Sequence, residues 1–311
     1  MAARGAETTL SDALQPLSDA SRIVIACDPA DQQTWQTARH LAVDDARVVV
    51  VPNPGARTAV GLNLAIAQVS EPVIARIDAH TIVGRDYLAR AVEVLTHTGA
   101  AVVGGRQMPV GSQPVQRGIA AAMDTWAGSG GARHRRGGTA GPSETAYLGV
   151  FQRSWLDIVN GYDPRLDRNQ DYEICHRIAR AGGLVWFDPA LKVRYLPRES
   201  WPGLFRQYHE FGRWKRHVMT TSPLSVRSRQ IVAPALVVAL AASAVMVFTR
   251  WRRFAAIVPG LYVIATIGSI LPARPLAEGG PVSSGDQLRA ALALLIMHVA
   301  WGTGFFRGGR P

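Results

Sequence analysis

Two polar residues set two apart, Asp78 and His80, close an otherwise apolar run that begins at Pro72 and ends at Ile77. If strand geometry persists through Arg76-Ile77-Asp78-Ala79-His80, alternation puts both on one side. A carboxylate and an imidazole so placed can hold a divalent cation or a hydroxyl-rich ligand. In α/β sheets such ligands gather at the carboxyl ends of strands. The plainer reading of the same stretch is a strand end capped by two solvated side chains. A second acidic group opens a later helix in Arg168-Asn169-Gln170-Asp171-Tyr172-Glu173. Asp171 and Glu173 fall in its first turn, where the helix dipole already favours negative charge. A third group is the glycine-rich, basic stretch from Gly128 to Gly141, with Arg133, His134, Arg135 and Arg136 at its centre. It suits a pyrophosphate or a lipid phosphate, or a solvated linker, and it is expected to be a mobile loop.

These groups need a frame. Strands are expected at Ile23 to Cys27 (ending at Asp28), Arg47 to Val51, Pro72 to Ile77, Ala100 to Gly104, Tyr147 to Phe151, Val185 to Phe187 and Lys192 to Tyr195. Helices are expected at Glu7 to Leu17, Asp31 to Leu41, Thr58 to Ala67 (with Asn63 inside), Arg85 to Thr96 and from Arg168 to about Ala181. Strands alternating with helices predict a mostly parallel sheet covered on both faces. No strand is legible before Ile23.

The chain has 311 residues, enough for one sizeable domain and an appendage. Its formal charge is +11, with Arg far ahead of Lys. A basic balance points to nucleic acid, an anionic membrane surface or a phosphate-bearing substrate. No nucleic-acid-binding signature is present, so no nucleic-acid partner is expected. Cys27 and Cys175 read as small buried hydrophobes rather than a disulfide. Met1 to Ser21 shows no apolar core followed by a cleavage site, so no signal peptide is expected and the polar part is expected to stay in the cytoplasm.

The last third changes texture. Ile231 to Phe248 and Phe254 to Leu271 carry no charge and are just long enough to span a bilayer. Ala290 to Phe306 is marginal and contains His298, expected to be a packing contact rather than a proton relay. Before them, Trp201 to Trp214 mixes Trp201, Phe205, Tyr208 and Phe211 with Arg206 and Arg213, which suits a membrane-surface helix. The expected division is a catalytic domain over 1–225 and a membrane domain over 226–311 with two or three hydrophobic helices.

Seven stretches in order resemble the inverting glycosyltransferases of family 2, and among them the succinoglycan-type exopolysaccharide enzymes. They are GLNLAIA around Asn63, RIDAH at 76–80, GGAR at 130–133, the run from Tyr147 to Glu173, YLPRES at 195–200, RQYHEFGRWK at 206–215 and MHVAWGTGF at 297–305. The resemblance implies a GT-A fold, the Rossmann-like nucleotide-diphospho-sugar transferase architecture, followed by C-terminal transmembrane helices. It implies that Asp28 contacts the nucleobase, that Asp78 and His80 hold the ribose and a metal-bound diphosphate, and that Asp171 is the general base. Asn63, Gln170, Arg213 and Trp214 join the nucleotide-sugar-binding set. Gln170 stands where many relatives have glutamate. Gln207, Arg213 and Trp214 resemble the Q-x-x-R-W element of processive relatives, but with longer spacing. Relatives begin with a strand of the type V-I-P-x-x-N-E, and this chain is expected to lack that first strand.

The implied activity is metal-dependent transfer of a sugar from a nucleotide-sugar donor to a lipid-linked or polysaccharide acceptor. The cation is Mn or Mg, the acceptor a polyprenyl-diphosphate-linked glycan, and the place the cytoplasmic membrane with the catalytic domain on its cytoplasmic side. The rival reading is a non-catalytic relative that binds a partner enzyme or a lipid-linked glycan. His209 and Glu210 stand beside this set, as further metal ligands or as solvated side chains.

Overall fold

The computed structural model describes residues 1–3, 5–166, 168–221, 230–272 and 280–308. They form two compact units, 1–107 with 137–195, and 108–136 with 196–311. The expected division after residue 225 falls outside the described residues.

In chain order the elements are β1 (Ala2–Ala3), α1 (Leu10–Leu14), β2 (Ile23–Cys27), α2 (Gln32–Asp44), β3 (Val48–Pro52), α3 (Thr58–Ile66), β4 (Val73–Ala75), β5 (Thr81–Val83), α4 (Tyr87–Thr98) and β6 (Val102–Pro109). Then follow α5 (Pro114–Asp124), α6 (Trp126–Ser129), α7 (Arg133–Arg136), β7 (Gly141–Pro142), β8 (Val150–Gln152), α8 (Arg153–Ile158), α9 (Gln170–Arg180) and β9 (Val185–Tyr195). The chain closes with α10 (Trp201–Thr221), α11 (Val232–Met246), α12 (Ile257–Ile270) and α13 (Ser284–Arg307).

The first unit carries two sheets. The smaller is parallel, β1-β2-β3, with Ile23 opposite Val48 and Ala2 opposite Ala26. So a strand does precede Ile23, but it is only Ala2–Ala3. The larger runs β4-β8-β6-β9-β5, with β7 on β9, and its β4–β8, β6–β8, β5–β9 and β7–β9 pairs are antiparallel. The expected mostly parallel sheet is thus corrected. Alternation of strand and helix in a sequence says nothing about which strands pair. β4 and β5, consecutive in sequence, stand at opposite ends of this order and pair with β8 and β9, strands far along the chain.

Local chemistry explains most boundaries. In α2 the Asp31 carboxylate accepts from the Thr34 N–H at 3.3 Å and caps the helix. In α4, Tyr87, Ala91, Val94 and Leu95 form the buried stripe. Gly99 ends that helix at φ +65°, its N–H donating to the Leu95 carbonyl at 3.0 Å. The strand expected from Pro72 to Ile77 is only Val73–Ala75, so Asp78 and His80 lie in the turn beyond it. The Thr81 hydroxyl donates to the Asp78 carbonyl at 2.8 Å and fixes that turn. The two strands expected between Val185 and Tyr195 are one continuous strand.

An apolar cavity of about 340 Å³ is lined by Ile23 and Val24 of β2, Val73 and Ala75 of β4, and Leu62 and Phe151. The Met1 amino group donates to the Val24 carbonyl at 2.8 Å. Burial pushes that amine down to about 5, against the pull of Asp78.

In the second unit, α5, α10, α11 and α12 all pack on α13. Ser283 and Asp286 form a capping box at its start, and Arg117 of α5 pairs with Asp286 at 2.8 Å. A Cβ on Gly212 would collide with the Trp301 carbonyl oxygen, and one on Gly304 with that of His209. Bare glycine surfaces therefore bring α10 and α13 together. His298 donates from Nε2 to the Ala127 carbonyl at 3.1 Å, which leaves Nδ1 to accept from the Tyr262 hydroxyl at 3.0 Å. These bonds tie α13 to α12 and α6. The stretch expected to be a mobile loop takes in the end of α6 and the whole of α7. Arg135 donates to the Gly128 carbonyl and to the Tyr208 hydroxyl, each at 3.3 Å.

Among the described residues two helical stretches are long and apolar enough to cross a membrane, Arg252–Ile270 and Ser284–Arg307, with mean hydropathies of 1.6 and 1.4. On the first, Leu261, Val263, Ile264 and Ile267 are exposed. α11, with 15 residues, is about 22 Å long, short of a ~30 Å hydrocarbon core.

Candidate active site

Four elements of the first unit bring the chemistry together: the turn after β4, the first turn of α9, α3, and the loop between α8 and α9. Arg76 is the hub. Its backbone N–H donates to the Gly149 carbonyl at 3.0 Å, which anchors the end of β4 beside β8. Its side chain is 6% exposed. The guanidinium Nε donates to Asp78 Oδ1 at 2.9 Å, and its Nη1 pairs with Asp171 Oδ1. Two acids 93 positions apart, expected separately from the sequence, thus meet on one cation.

The electrostatics follow from burial. Burial works to raise the Asp78 pKa, but the Arg76 charge, then that of His80, more than offsets it and holds the carboxyl below its usual range. Burial likewise works against the Arg76 charge, and the attraction of Asp78 keeps it firmly protonated. A buried arginine without such partners would be costly.

Asp171 is placed by the chain just before it. Asn169 takes the left-handed conformation at φ +62°, and α9 starts at Gln170. The two acids of this first turn then diverge. Glu173 turns inward and binds Arg177 through both its oxygens, at 2.6 and 2.7 Å. Arg177 in turn donates to the Val159 and Gly161 carbonyls. Glu173 therefore holds α9 to the preceding loop. Asp171 stays 27% exposed beside Arg76. A carboxylate that is oriented by an ion pair and partly open to solvent can accept a proton.

Asn63 and Tyr162 lie beneath. The Asn63 amide donates to the Tyr162 carbonyl at 2.7 Å and accepts from the Tyr162 N–H at 2.9 Å. The Tyr162 ring lies under the Arg76 guanidinium, 5.9 Å from its centroid, and packs edge-on against Phe151. So Asn63 pins the ring that supports Arg76. Gln170 is buried next to Asp171. His80 is exposed and stands edge-on to Tyr195, with centroids 6.1 Å apart.

Asp28 occupies the carboxyl end of β2, where its oxygens accept from the Ala30 N–H at 2.9 Å and the Gly55 N–H at 3.0 Å. It ties the loop after β2 to the turn after β3. Arg213 and Trp214 belong to α10 in the second unit, where the Arg213 Nε donates to the Gly308 carbonyl at 3.0 Å and Trp214 is buried. Cys27 and Cys175 are both buried and free, with thiols pushed up to about 11 by burial. Neither is a nucleophile.

Sequence reasoning missed Arg76 and Tyr162. A signal for Arg76 existed. An arginine inside an otherwise apolar strand end must find a carboxylate, and Asp78 is two residues on.

Asp78 and His80, the pair expected to hold a cation, offer one carboxylate and one imidazole. No group of three or more acidic, histidine or cysteine side chains forms a cage among the described residues. Such a sparse oxygen–nitrogen set fits a cation that takes its other ligands from substrate phosphates.

The profile of the glycosyltransferase-like family 2 matches residues 6–215. The succinoglycan biosynthesis protein ExoA of Rhizobium meliloti (strain 1021) is 31% identical over 301 residues, covering 96% of this chain and 88% of that protein. A mannosyltransferase from Pyrobaculum calidifontis, solved in complex with GDP-Man and Mn2+, superposes with a TM-score of 0.58 at 14% identity, covering 95% of this chain and 83% of that one. That likeness carries the fold: a mixed α/β architecture of the GT-A kind.

Proposed function

The chain belongs to glycosyltransferase family 2, and from that premise we propose that it moves a sugar, with inversion, from a nucleotide-diphosphate donor to a lipid-linked glycan at the membrane in exopolysaccharide or cell-envelope glycan synthesis. The observation that carries this reading is the convergence of Asp78 and Asp171 on Arg76. One carboxylate lies at the donor end, the other at the acceptor end, and a fixed charge holds them together.

In this reading Asp28 receives the nucleobase, and Asp78 and His80 hold the donor diphosphate. A divalent cation, Mn or Mg, bound there would screen the charge that builds on the leaving diphosphate. Asp171 accepts the proton of the acceptor hydroxyl as that oxygen attacks the anomeric carbon from the face opposite the leaving group. One base suffices, because no water has to be activated by a second carboxylate. Gln170, buried beside the base, and Asn63, beneath it, keep the first turn of α9 and the Tyr162 loop in place.

Membrane association is supported by the two apolar helices and by the aromatic and basic residues of α10. Arg213 and Trp214 lie on that helix and belong to the proposed nucleotide-sugar-binding set. The catalytic unit is assigned to the cytoplasmic face, since nucleotide sugars are the donors.

The test is release of nucleoside diphosphate from UDP-, GDP- and dTDP-sugars by membranes carrying the chain, with a lipid extract as acceptor and Mn or Mg present. Asp171→Asn should lower turnover about 10²- to 10⁴-fold. A variant as active as the parent chain would remove the base assignment.

A further inference from the structure

The roles above leave Arg76 unassigned, although its buried side chain joins both carboxylates of the site. Its guanidinium forks, with Nε on Asp78 and Nη1 on Asp171, and these two carboxylates come from different elements. Neither β4, three residues long, nor the first turn of α9 fixes the other. Two like charges drawn together in a half-buried site repel one another. A cation between them is therefore required for both to stay ionised and close.

The fork is itself held. The Arg76 N–H is tied to Gly149, the Tyr162 ring lies under the guanidinium, and Tyr162 is clamped at both backbone ends by Asn63. A chain of contacts thus runs from α3 to the base. This is how a supporting shell fixes a reactive group. We propose that Arg76 is a positioning residue that sets the distance and orientation of Asp171 relative to the donor end of the site. The proposal rests on the transferase reading. It adds that correct placement of the base depends on a planar, two-pronged cation and not on positive charge alone.

Lysine keeps the charge but offers a point ammonium that cannot serve two carboxylates in the same way. Arg76→Lys should therefore lower kcat about 100-fold, the cost of a misplaced reacting group, while the donor KM stays within about threefold. Calorimetric titration of the folded variant with Mn2+ and nucleoside diphosphate should show binding no weaker than in the parent chain, because positive charge has been loosened beside Asp78. In Arg76→Ala, added guanidinium should restore part of kcat, and added methylammonium should not.

Several results overturn the proposal. Arg76→Lys with parental kcat would show that the fork is dispensable. A loss of Mn2+–nucleotide binding that matches the loss of kcat, together with a large drop in melting temperature, would reduce Arg76 to scaffold. Absence of guanidinium rescue in a folded Arg76→Ala would do the same. A parent chain that turns over no donor sinks the transferase reading and this proposal with it, whereas an active parent chain with an unaffected Arg76→Lys sinks this proposal alone.

Discussion

Glu173 and Asp171 share one helical turn, yet one is spent on Arg177 and the other faces Arg76. The difference separates an acid that builds the fold from one available for chemistry. Sequence position alone left both as dipole-stabilising residues, and the family resemblance chose Asp171. The side-chain partners give a physical reason for the same choice. Asn63 shows the converse. Expected among the donor-binding residues, it spends its amide on both backbone ends of Tyr162. Asn63→Ala should lower unfolding stability by about 1–3 kcal/mol, since it strands a backbone donor and acceptor in a part-buried place. Chemical denaturation checks this. If Asn63 instead serves the donor directly, the variant will raise the donor KM with no change in stability. Asp78 and His80 stood out as polar residues at the end of an apolar run, whereas Asp171 was singled out by the family resemblance alone. Tyr162 was not, because an aromatic residue in a turn looks like any other core residue until its neighbour across the fold is known.

At the scale of elements, helices with an apolar stripe and a clear stop were the most readable. α4 shows both, with its Tyr87-Ala91-Val94-Leu95 stripe and Gly99. Pairing in the larger sheet was unreadable, because β4, β5 and β8 are three residues each and carry no register signal of their own. The helix α5 was missed altogether. Its run of small residues, Ala120, Ala121 and Ala122, hides the apolar stripe on which helix recognition depends. Small residues matter equally between α10 and α13. Gly304→Val would drive a branched side chain into the His209 carbonyl, and Gly212→Val another into that of Trp301. Each should cost at least about 1–3 kcal/mol. Thermal melts of the full chain in detergent should show the loss. Unchanged melting would mean that the two helices do not pack through their glycines.

At the scale of the whole molecule, residues 108–136 fold with residues 196–311, so one unit is assembled from distant parts of the chain. Hydropathy found the C-terminal helices but not this interleaving, since α5 carries no mark of its partner. The helix α5, in which Ile119, Ala120 and Met123 are buried, packs against α13. A chain cut after residue 225 would uncover that helix and should aggregate. Size-exclusion chromatography of residues 1–225 checks this, and a monomeric, soluble product would show that α5 does not need α13. The central claim is that a single carboxylate, held by Arg76, does the proton transfer for a sugar transferase. The measurement that tests it most directly is metal-dependent nucleoside diphosphate release with a lipid acceptor, compared between the parent chain and Asp171→Asn. The account predicts turnover with at least one donor and a loss of about 10²-fold or more in the variant. Equal turnover in the two, or none from the parent chain with any donor, would contradict it.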